Sequence, residues 1–465
     1  MIDLKHLEQY RENNRIEAKR ALGGLPHSVW ETYSSFANTL GGVILLGVVE
    51  DKDKTLHTVD LPDPEELVRE FWAIVRNPKL TSRNILSESD VRIEDVNGDH
   101  IIVITVPRAD RLCKPVYVDG NPVNTYRRSG EGDYRCTQEE YQAMVRDASA
   151  VTQDMRRLER FDVSALNAES VRRYRALVRE THPDHEPEAL DDEEFLLSCG
   201  LIGTGGDGAR HPLAAALLMF GSAREIKEVY PDYLLDYREP GHRLMSDSGE
   251  WSGNIFDFYE KVCGRLEKAL PARAVRLAAR EALVNCLVNA DYYGEGGVVI
   301  VNREDRIVLS NPGDFRVEVA AAKSGGFSDP RNGLLMKLFN NIDAGDSTGS
   351  GIPNIFYVWK QHGWSEPTIT QTVHPNRIEF LLPMTKRSGK VMRIRQEGKQ
   401  AKLRSALKKA MIIDYLTDHA EAGAHELTEL LGVKPSNVRK MLDELTADGI
   451  VTSAGSPTDR YRLKS

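Results

Sequence analysis

The sequence predicts a multidomain α+β protein. Three observations carry that prediction. A length of 465 residues exceeds what one hydrophobic core usually covers. Two separate blocks, residues 1–146 and 270–385, each mix helix-period and strand-like apolar segments. Residues 386–465 carry a charge opposite to that of everything before them. The boundaries that follow are an α/β unit at 1–146, a helical and mixed middle region at 147–269, a second α/β unit at 270–385, a basic linker at 386–400 and a small helical module at 401–465.

Within the first unit, Val29, Trp30, Tyr33, Phe36, Ala37 and Leu40 recur at helical spacing and end at the Gly41-Gly42 pair. The run Val43 to Val49 reads as one continuous strand covered on both faces. Ile101 to Val106 reads as a second strand, entered through the Asn97-Gly98 turn, and Glu139 to Asp147 as the closing helix. In the middle region, Arg156 to Arg179 is charged and helical, Thr181 to Glu188 breaks it, and an apolar run extends from Leu213 to Phe220. The second α/β unit shows a long helix, a hairpin at Val298–Val301 and Ile307–Ser310, a glycine-rich stretch and a closing strand at Ile378–Leu382. The last module reads helix, helix, helix, hairpin.

Composition excludes several classes. With 41% hydrophobic and 28% charged residues the chain is of ordinary globular type, neither collagen-like nor wholly disordered. No apolar run approaches the ~20 residues of a membrane span, and the N-terminus lacks an apolar signal core. Five widely spaced cysteines without a C-x-x-C pair argue against a disulfide framework or a cysteine zinc site, and fit a reducing cytoplasm.

The formal net charge of −9 would by itself disfavour a nucleic-acid partner, but its distribution reverses that inference. Residues 386–465 hold 16 Lys and Arg against 10 Asp and Glu, a net of +6, which leaves −15 for residues 1–385. Lys386 to Lys409 alone carries ten basic residues and one acid, Glu397. Such a block is either a solvated linker or a phosphate-contacting segment, since local positive charge steers polyanions even in an acidic protein.

Polar spacing marks a candidate nucleotide site. Glu281, Asn285 and Asn289 repeat every four residues and so share one stripe of a helix, while Leu283, Leu287 and Ala290 face elsewhere. Asn311-Pro312-Gly313 follows the strand Ile307–Ser310, and Gly349-Ser350-Gly351 opens a helix. Glycines lacking Cβ let backbone N–H groups close on phosphate, and a helix N-terminus adds its dipole. In this order the boxes resemble the GHKL ATPase superfamily, in a divergent branch where N-P-G is usual and Ser-x-x-Arg-Asn follows, here Ser328 to Asn332. The resemblance implies a Bergerat-type α/β sandwich binding ATP with Mg²⁺. It gives Asn285 as the metal ligand, Glu281 as water activator in hydrolysing members, Asn311 and Gly313 at the adenine, and Gly349 and Gly351 beside the phosphates. Asn311 stands where the superfamily has Asp, although its carbonyl oxygen can still accept from an exocyclic amine. Hydrolysis and nucleotide sensing both stay open.

Near the N-terminus, Glu17 and Lys19 share one face if Arg15 to Lys19 is a strand, which places a carboxylate beside an ammonium. Such a pair is either a surface ion pair or part of a site for a divalent ion and a phosphate. The series Glu12, Ile16 to Lys19, Ser35 to Gly42, Leu46 to Asp51 and Tyr126 to Gly130 resembles the Schlafen AlbA-like domain. That family implies nucleic-acid binding, and some members are metal-dependent RNases that use three carboxylates. Carried across, the resemblance gives Glu12, Glu17 and Glu50 as candidate ligands for Mn²⁺ or Mg²⁺, with Lys19 beside them and Arg127 and Arg128 as phosphate contacts. Glu50 replaces the usual Asp, and Ala18 stands where the motif usually has Phe.

His425 to Leu445 has the helix, glycine turn, helix pattern of a helix-turn-helix, and Gly449–Val451 with Arg460–Leu463 adds a hairpin, so the module looks like a winged helix. Ser436, Asn437, Arg439 and Lys440 open its second helix, where base-edge or phosphate contacts are made. Winged helices also serve as protein-interaction modules. Together the segments describe an ATP-binding, nucleic-acid-binding protein, with DNA favoured over RNA. It is either a nucleotide-responsive DNA-binding transcriptional regulator or an ATP-gated, metal-dependent nuclease acting on RNA. Symmetrical operators would favour a homo-oligomer.

Overall fold

The computed structural model describes residues 2–183, 190–317, 319–326, 328–345, 349–373 and 375–386, and, further on, residues 412, 415–416, 421–423, 426–428, 435–447, 451–453 and 460–463. The chain forms two compact units, Met1–Thr385 and Lys386–Ser465.

The first unit begins with β1 (Ile16–Lys19), α1 (Ser28–Asn38), β2 (Gly42–Leu46), β3 (Val48–Glu50), β4 (Leu56–Thr58), α2 (Pro64–Val75), β5 (Val91–Val96), β6 (Asp99–Val106), β7 (Tyr126–Ser129), β8 (Gly132–Arg135) and α3 (Gln138–Asp147). Strands β1, β2, β6 and β5 make a four-stranded sheet in that order, with β1 parallel to β2. The expected single strand from Val43 to Val49 is divided at Gly47. This residue has φ +80°, and a Cβ there would lie 2.9 Å from the Leu61 side chain and 3.0 Å from Val59 O, so the chain turns into β3, which pairs with β4 instead. One face of the sheet packs on α1 and α2 through Tyr33, Phe36, Phe71 and Ile104. The Asn38 of the F-A-N-x-x-G-G box is a fully buried staple. Its side chain donates to Val116 O at 2.8 Å and Tyr126 O at 3.0 Å and accepts from Val116 N at 2.9 Å.

Next come α4 (Ala168–Thr181), α5 (Asp192–Ser198), β9 (Ile202–Thr204), β10 (Arg210–Pro212), α6 (Ala214–Phe220), α7 (Ala223–Val229), β11 (Leu235–Glu239), β12 (His242–Met245), α8 (Ile255–Ala269), α9 (Arg273–Asn289), β13 (Val298–Arg303), β14 (Arg306–Pro312), α10 (Val319–Ser324), α11 (Gly333–Asn340), α12 (Gly351–Gln361), β15 (Thr368–Thr372) and β16 (Arg377–Pro383). The helix read from Arg156 onward starts only at Ala168, capped by the Asn167 side chain. Of the breaker Thr181–Glu188, residues 184–188 lie outside the described residues.

A six-stranded sheet of order β12-β11-β13-β14-β16-β15 backs this half. Two of its strands come from before residue 270, with β11 parallel to β13. The segments read as 147–269 and 270–385 therefore share one sheet. They also share one core, which runs from Leu158 to Leu382 and buries all of α6. The apolar run Leu213–Phe220 had no visible partner in the sequence because its partners lie on α4, α8 and α11.

In the second unit, β17 (Ala422–Gly423), β18 (Val451–Ser453) and β19 (Arg460–Leu463) form a three-stranded sheet with β19 central, and α13 (Pro435–Ala447) buries Val438, Leu442 and Leu445. The expected hairpin is β18–β19. The third strand, β17, is too short to leave a period in the sequence. The basic linker 386–400 and the rest of the basic run to Lys409 lie, apart from residue 386, outside the described residues.

Candidate nucleotide-binding cleft and its interface

Helix α9 is built so that one stripe stays polar. Glu281, Asn285 and Asn289 are half-buried, whereas Ala282, Leu283, Val284, Cys286, Leu287 and Val288 are buried in the core. The Asn285 side chain donates to Glu281 Oε1 at 3.2 Å, and that of Asn289 to Asn285 O at 2.9 Å. The stripe forms one wall of a cleft of about 70 Å³, and Gly349, Gly351 and Ile352 at the start of α12 form another. Helix α12 can approach this closely because position 351 has no side chain: a Cβ there would lie 2.2 Å from Glu281 Oε1. The cleft is completed by Asp314, Phe315, Arg316, Ser328, Asp329, Met336 and Ile378.

The structure thus brings Glu281, Asn285, Asn289, Gly349 and Gly351 together but sets Asn311 and Gly313 apart from the cleft lining. Asn311 is 4% exposed, and its side-chain amide donates to Pro312 O at 3.1 Å. The side-chain amide also reaches Asn289 O at 3.5 Å and so holds the end of β14 against α9. Gly313 lies against the Arg331 guanidinium. The residue that reaches the cleft from this turn is the next one, Asp314, which sequence reasoning missed. Its signal was an acid directly after the N-P-G turn. In the Ser328–Asn332 box, the first three residues line the cleft and the last two brace it. The Asn332 side chain donates to Val288 O at 3.0 Å and Ala290 O at 2.8 Å, satisfying carbonyls at the C-terminal end of α9. Arg331 donates to Asn289 O at 2.6 Å and to both oxygens of Asp147, at 2.8 and 2.7 Å.

The N-terminal part of the chain meets this cleft through cations. Arg127 Nη2 lies 2.6 Å from Asp314 Oδ1, and Arg111 Nε lies 2.6 Å from Asp329 Oδ2. Arg108 donates to Phe315 O. Burial alone would raise the Asp314 carboxyl pKa, but Arg127, Lys114 and Arg331 together outweigh it and hold the group below the usual carboxylate range. Lys114 donates to Asn38 O at 2.7 Å, and burial, reinforced by Arg108, pushes its ammonium down to about 7.

Arg127 and Arg128 are each 2% exposed, which corrects their assignment as phosphate contacts. Strand β7 turns both inward, and carboxylates neutralise them there. Arg128 reaches Glu17 Oε2 at 2.7 Å and Asp133 Oδ1 at 2.9 Å. The three candidate carboxylates of the N-terminal region are each engaged by the protein itself. Glu17 is engaged by Arg128 and by Lys19 Nζ at 2.6 Å, and Glu50 Oε2 by Lys54 at 3.0 Å. Glu12 Oε1 accepts from Ala18 N at 3.0 Å, and burial raises its pKa, with Glu17 and Glu50 adding to the rise. Among the described residues no three His, Cys, Asp or Glu side chains form a group that could hold a metal ion.

Residues 12–137 match the Schlafen AlbA_2 family. Residues 296–380 match the family described as "putative ATP-dependent DNA helicase recG C-terminal", and residues 142–236 match a domain family of unknown function. Arg127 and Arg111 of the AlbA_2-like region pair with Asp314 and Asp329 of the recG C-terminal-like one. The solution structure of the N-terminal domain of a "putative ATP-dependent DNA helicase RecG-related protein" from Nitrosomonas europaea is 35% identical over 29% of this chain and 90% of that one, with a TM-score of 0.23. A crystal structure of a Corynebacterium diphtheriae protein is 18% identical over 97% of this chain and 80% of that one, with a TM-score of 0.40. No curated protein matches.

On α13, Arg439 and Lys440 are exposed, while the side chains of Ser436 and Asn437 lie outside the described residues. All five cysteines are free thiols. Among the described residues no helix is long and apolar enough to cross a membrane.

Proposed function

We propose that the chain is a nucleotide-responsive nucleic-acid-binding protein, most simply a DNA-binding regulator, whose cleft takes ATP or ADP with Mg²⁺. The observation that carries this reading is the polar stripe Glu281, Asn285 and Asn289 facing Gly349 and Gly351 across one cleft. The residues fit the group. Mg²⁺ on a nucleotide is held by one or two protein oxygens together with phosphates and water, so the Asn285 carbonyl oxygen beside Glu281 suffices without a dedicated protein cage. The N-terminus of α12 supplies N–H groups and a dipole for phosphate. Mg²⁺ held there with the nucleotide would neutralise phosphate charge, and Glu281 would accept a proton from the attacking water. The GHKL-type sandwich and the winged helix belong to this same reading, with Arg439 and Lys440 contacting DNA.

The match of residues 12–137 to the Schlafen AlbA_2 family supports a nucleic-acid role for the N-terminal region. We favour binding over cleavage there because Glu17 is already paired with Arg128 and Lys19, and Glu50 with Lys54.

Calorimetry tests the cleft. Asn285→Ala should weaken MgATP binding at least tenfold, and unchanged affinity would refute the assignment. Glu281→Ala should retain nucleotide and lose whatever turnover the wild type shows. Labelled RNA incubated with Mn²⁺ and ATP should stay intact, whereas cleavage that depends on Glu17 would establish the nuclease.

A further inference from the structure

Helix α9 has a second charged stripe, on a different side from Glu281, Asn285 and Asn289. Arg273, Arg276 and Arg280 fall at i, i+3 and i+7 and so share a face. On α8, Lys261, Arg265 and Lys268 fall at i, i+4 and i+7. The two rows line one open groove of about 850 Å³ beside the turn at 270–272. Each row spans ~10 Å of helix axis at 1.5 Å per residue.

Two acids, Glu260 and Glu267, also line the groove. Glu260 is taken by Arg173 Nε at 3.1 Å from outside it. Of the cations, Arg265 reaches Glu239 at 2.7 Å, while Arg276 and Arg280 donate to the backbone oxygens of Leu270 and Asp343. Lys261, Lys268 and Arg273 are exposed and have no carboxylate within ion-pair distance among the described residues. This gathering of six cations sits on a part of the chain, residues 1–385, whose formal charge is −15.

Unpaired like charges held in two rows repel one another, and a polyanion relieves that repulsion. Each strand of a duplex presents one phosphate per 3.4 Å of axis, so a row ~10 Å long faces about three phosphates. We infer that the α8–α9 groove is a binding surface for the phosphate backbone of a nucleic acid, on the helix whose other stripe lines the nucleotide cleft. The inference rests on the proposed nucleic-acid function and adds a surface distinct from the AlbA_2-like region and from α13. The contacts are to backbone phosphates, so binding here is insensitive to sequence.

The test uses the full chain with a fluorescent 20-base-pair duplex and a single-stranded RNA of matching sequence, titrated at several salt concentrations. Lys261→Gln/Lys268→Gln/Arg273→Gln should flatten the slope of log K against log salt by about 2 to 3 for the duplex and weaken binding at low salt at least tenfold. MgATP affinity should be unchanged, which reports an intact fold. The charge-retaining variant Lys261→Arg/Lys268→Arg/Arg273→Lys should keep the wild-type slope. If the triple variant loses MgATP binding as well, Lys268→Gln alone decides through a slope change of about 0.9. Wild-type duplex or RNA binding with an unchanged slope in the variants overturns the groove and leaves the proposed function standing. A wild type that binds neither probe overturns both. Phosphatidylserine vesicles captured through these residues, with nucleic-acid binding unaltered, would also overturn the proposal.

Discussion

Arg127, 2% exposed on β7, places its Nη2 2.6 Å from Asp314 Oδ1 on the wall of the candidate nucleotide cleft. Gln371 donates to the same oxygen at 2.8 Å. The N-terminal region and the cleft therefore share one buried ion pair, and whatever moves Asp314 is felt at β7. Removing one partner of such a pair leaves an uncompensated buried charge and costs about 3–5 kcal/mol. Arg127→Met and Asp314→Asn should each destabilise the first unit by that order. The double variant should lose much less than the sum, as read by urea denaturation in a double-mutant cycle. Additive losses would show that the pair does not couple the two regions.

Gly351→Ala separates binding from stability. Gly351 opens α12, where alanine's advantage over glycine is at most about 1 kcal/mol and is offset by displacing the Glu281 side chain, so the melting temperature should change little. The new Cβ displaces the Glu281 carboxylate, and MgATP affinity should fall at least tenfold. Calorimetry and thermal melts on the same sample test both directions, and full affinity in the variant would mean that Glu281 and α12 do not form the nucleotide wall.

Lys114 predicts a pH dependence. Its folded pKa of about 7 lies below the unfolded value of ~10.4, so between these limits the unfolded chain holds a proton that the folded chain has released. Stability relative to Lys114→Met should therefore rise with pH from about 7 to about 10, by at most about 1.4 kcal/mol per pH unit, and be flat below 7. Parallel urea melts from pH 6 to 9 measure it. A difference that stays flat from pH 6 to 9 would place the lysine in a charged, well-paired site.

The second unit should account for part of the salt dependence of DNA binding. Deleting Lys386–Ser465 removes a net charge of +6 and should flatten the log K against log salt slope without abolishing it, the α8–α9 groove supplying the remainder. Arg439→Ala should cost ~1 to 3 kcal/mol of sequence discrimination if it reads a base, or weaken all sequences alike if it holds a phosphate. Equal slopes for full-length and truncated protein would leave α13 as a protein-interaction surface.

What the sequence by itself determined are the features governed by short-range periodicity. The four-residue spacing of Glu281, Asn285 and Asn289 was enough to place them on one helical stripe, and the β13–β14 hairpin and the division of charge at residue 386 were legible for the same reason. Tertiary structure alone decided what each charged group faces. Arg127 and Arg128 read as solvent-facing phosphate contacts, yet their partners Asp314, Glu17 and Asp133 stand on other strands and turns. Asn311 read as the base contact, yet the packing of β14 against α9 turned it inward and left Asp314 at the cleft. The apolar run Leu213–Phe220 and the strands β11 and β12 gained a meaning only when the six-stranded sheet closed over them. Burial and ion pairing depend on which distant segments meet, and local spacing carries no record of that.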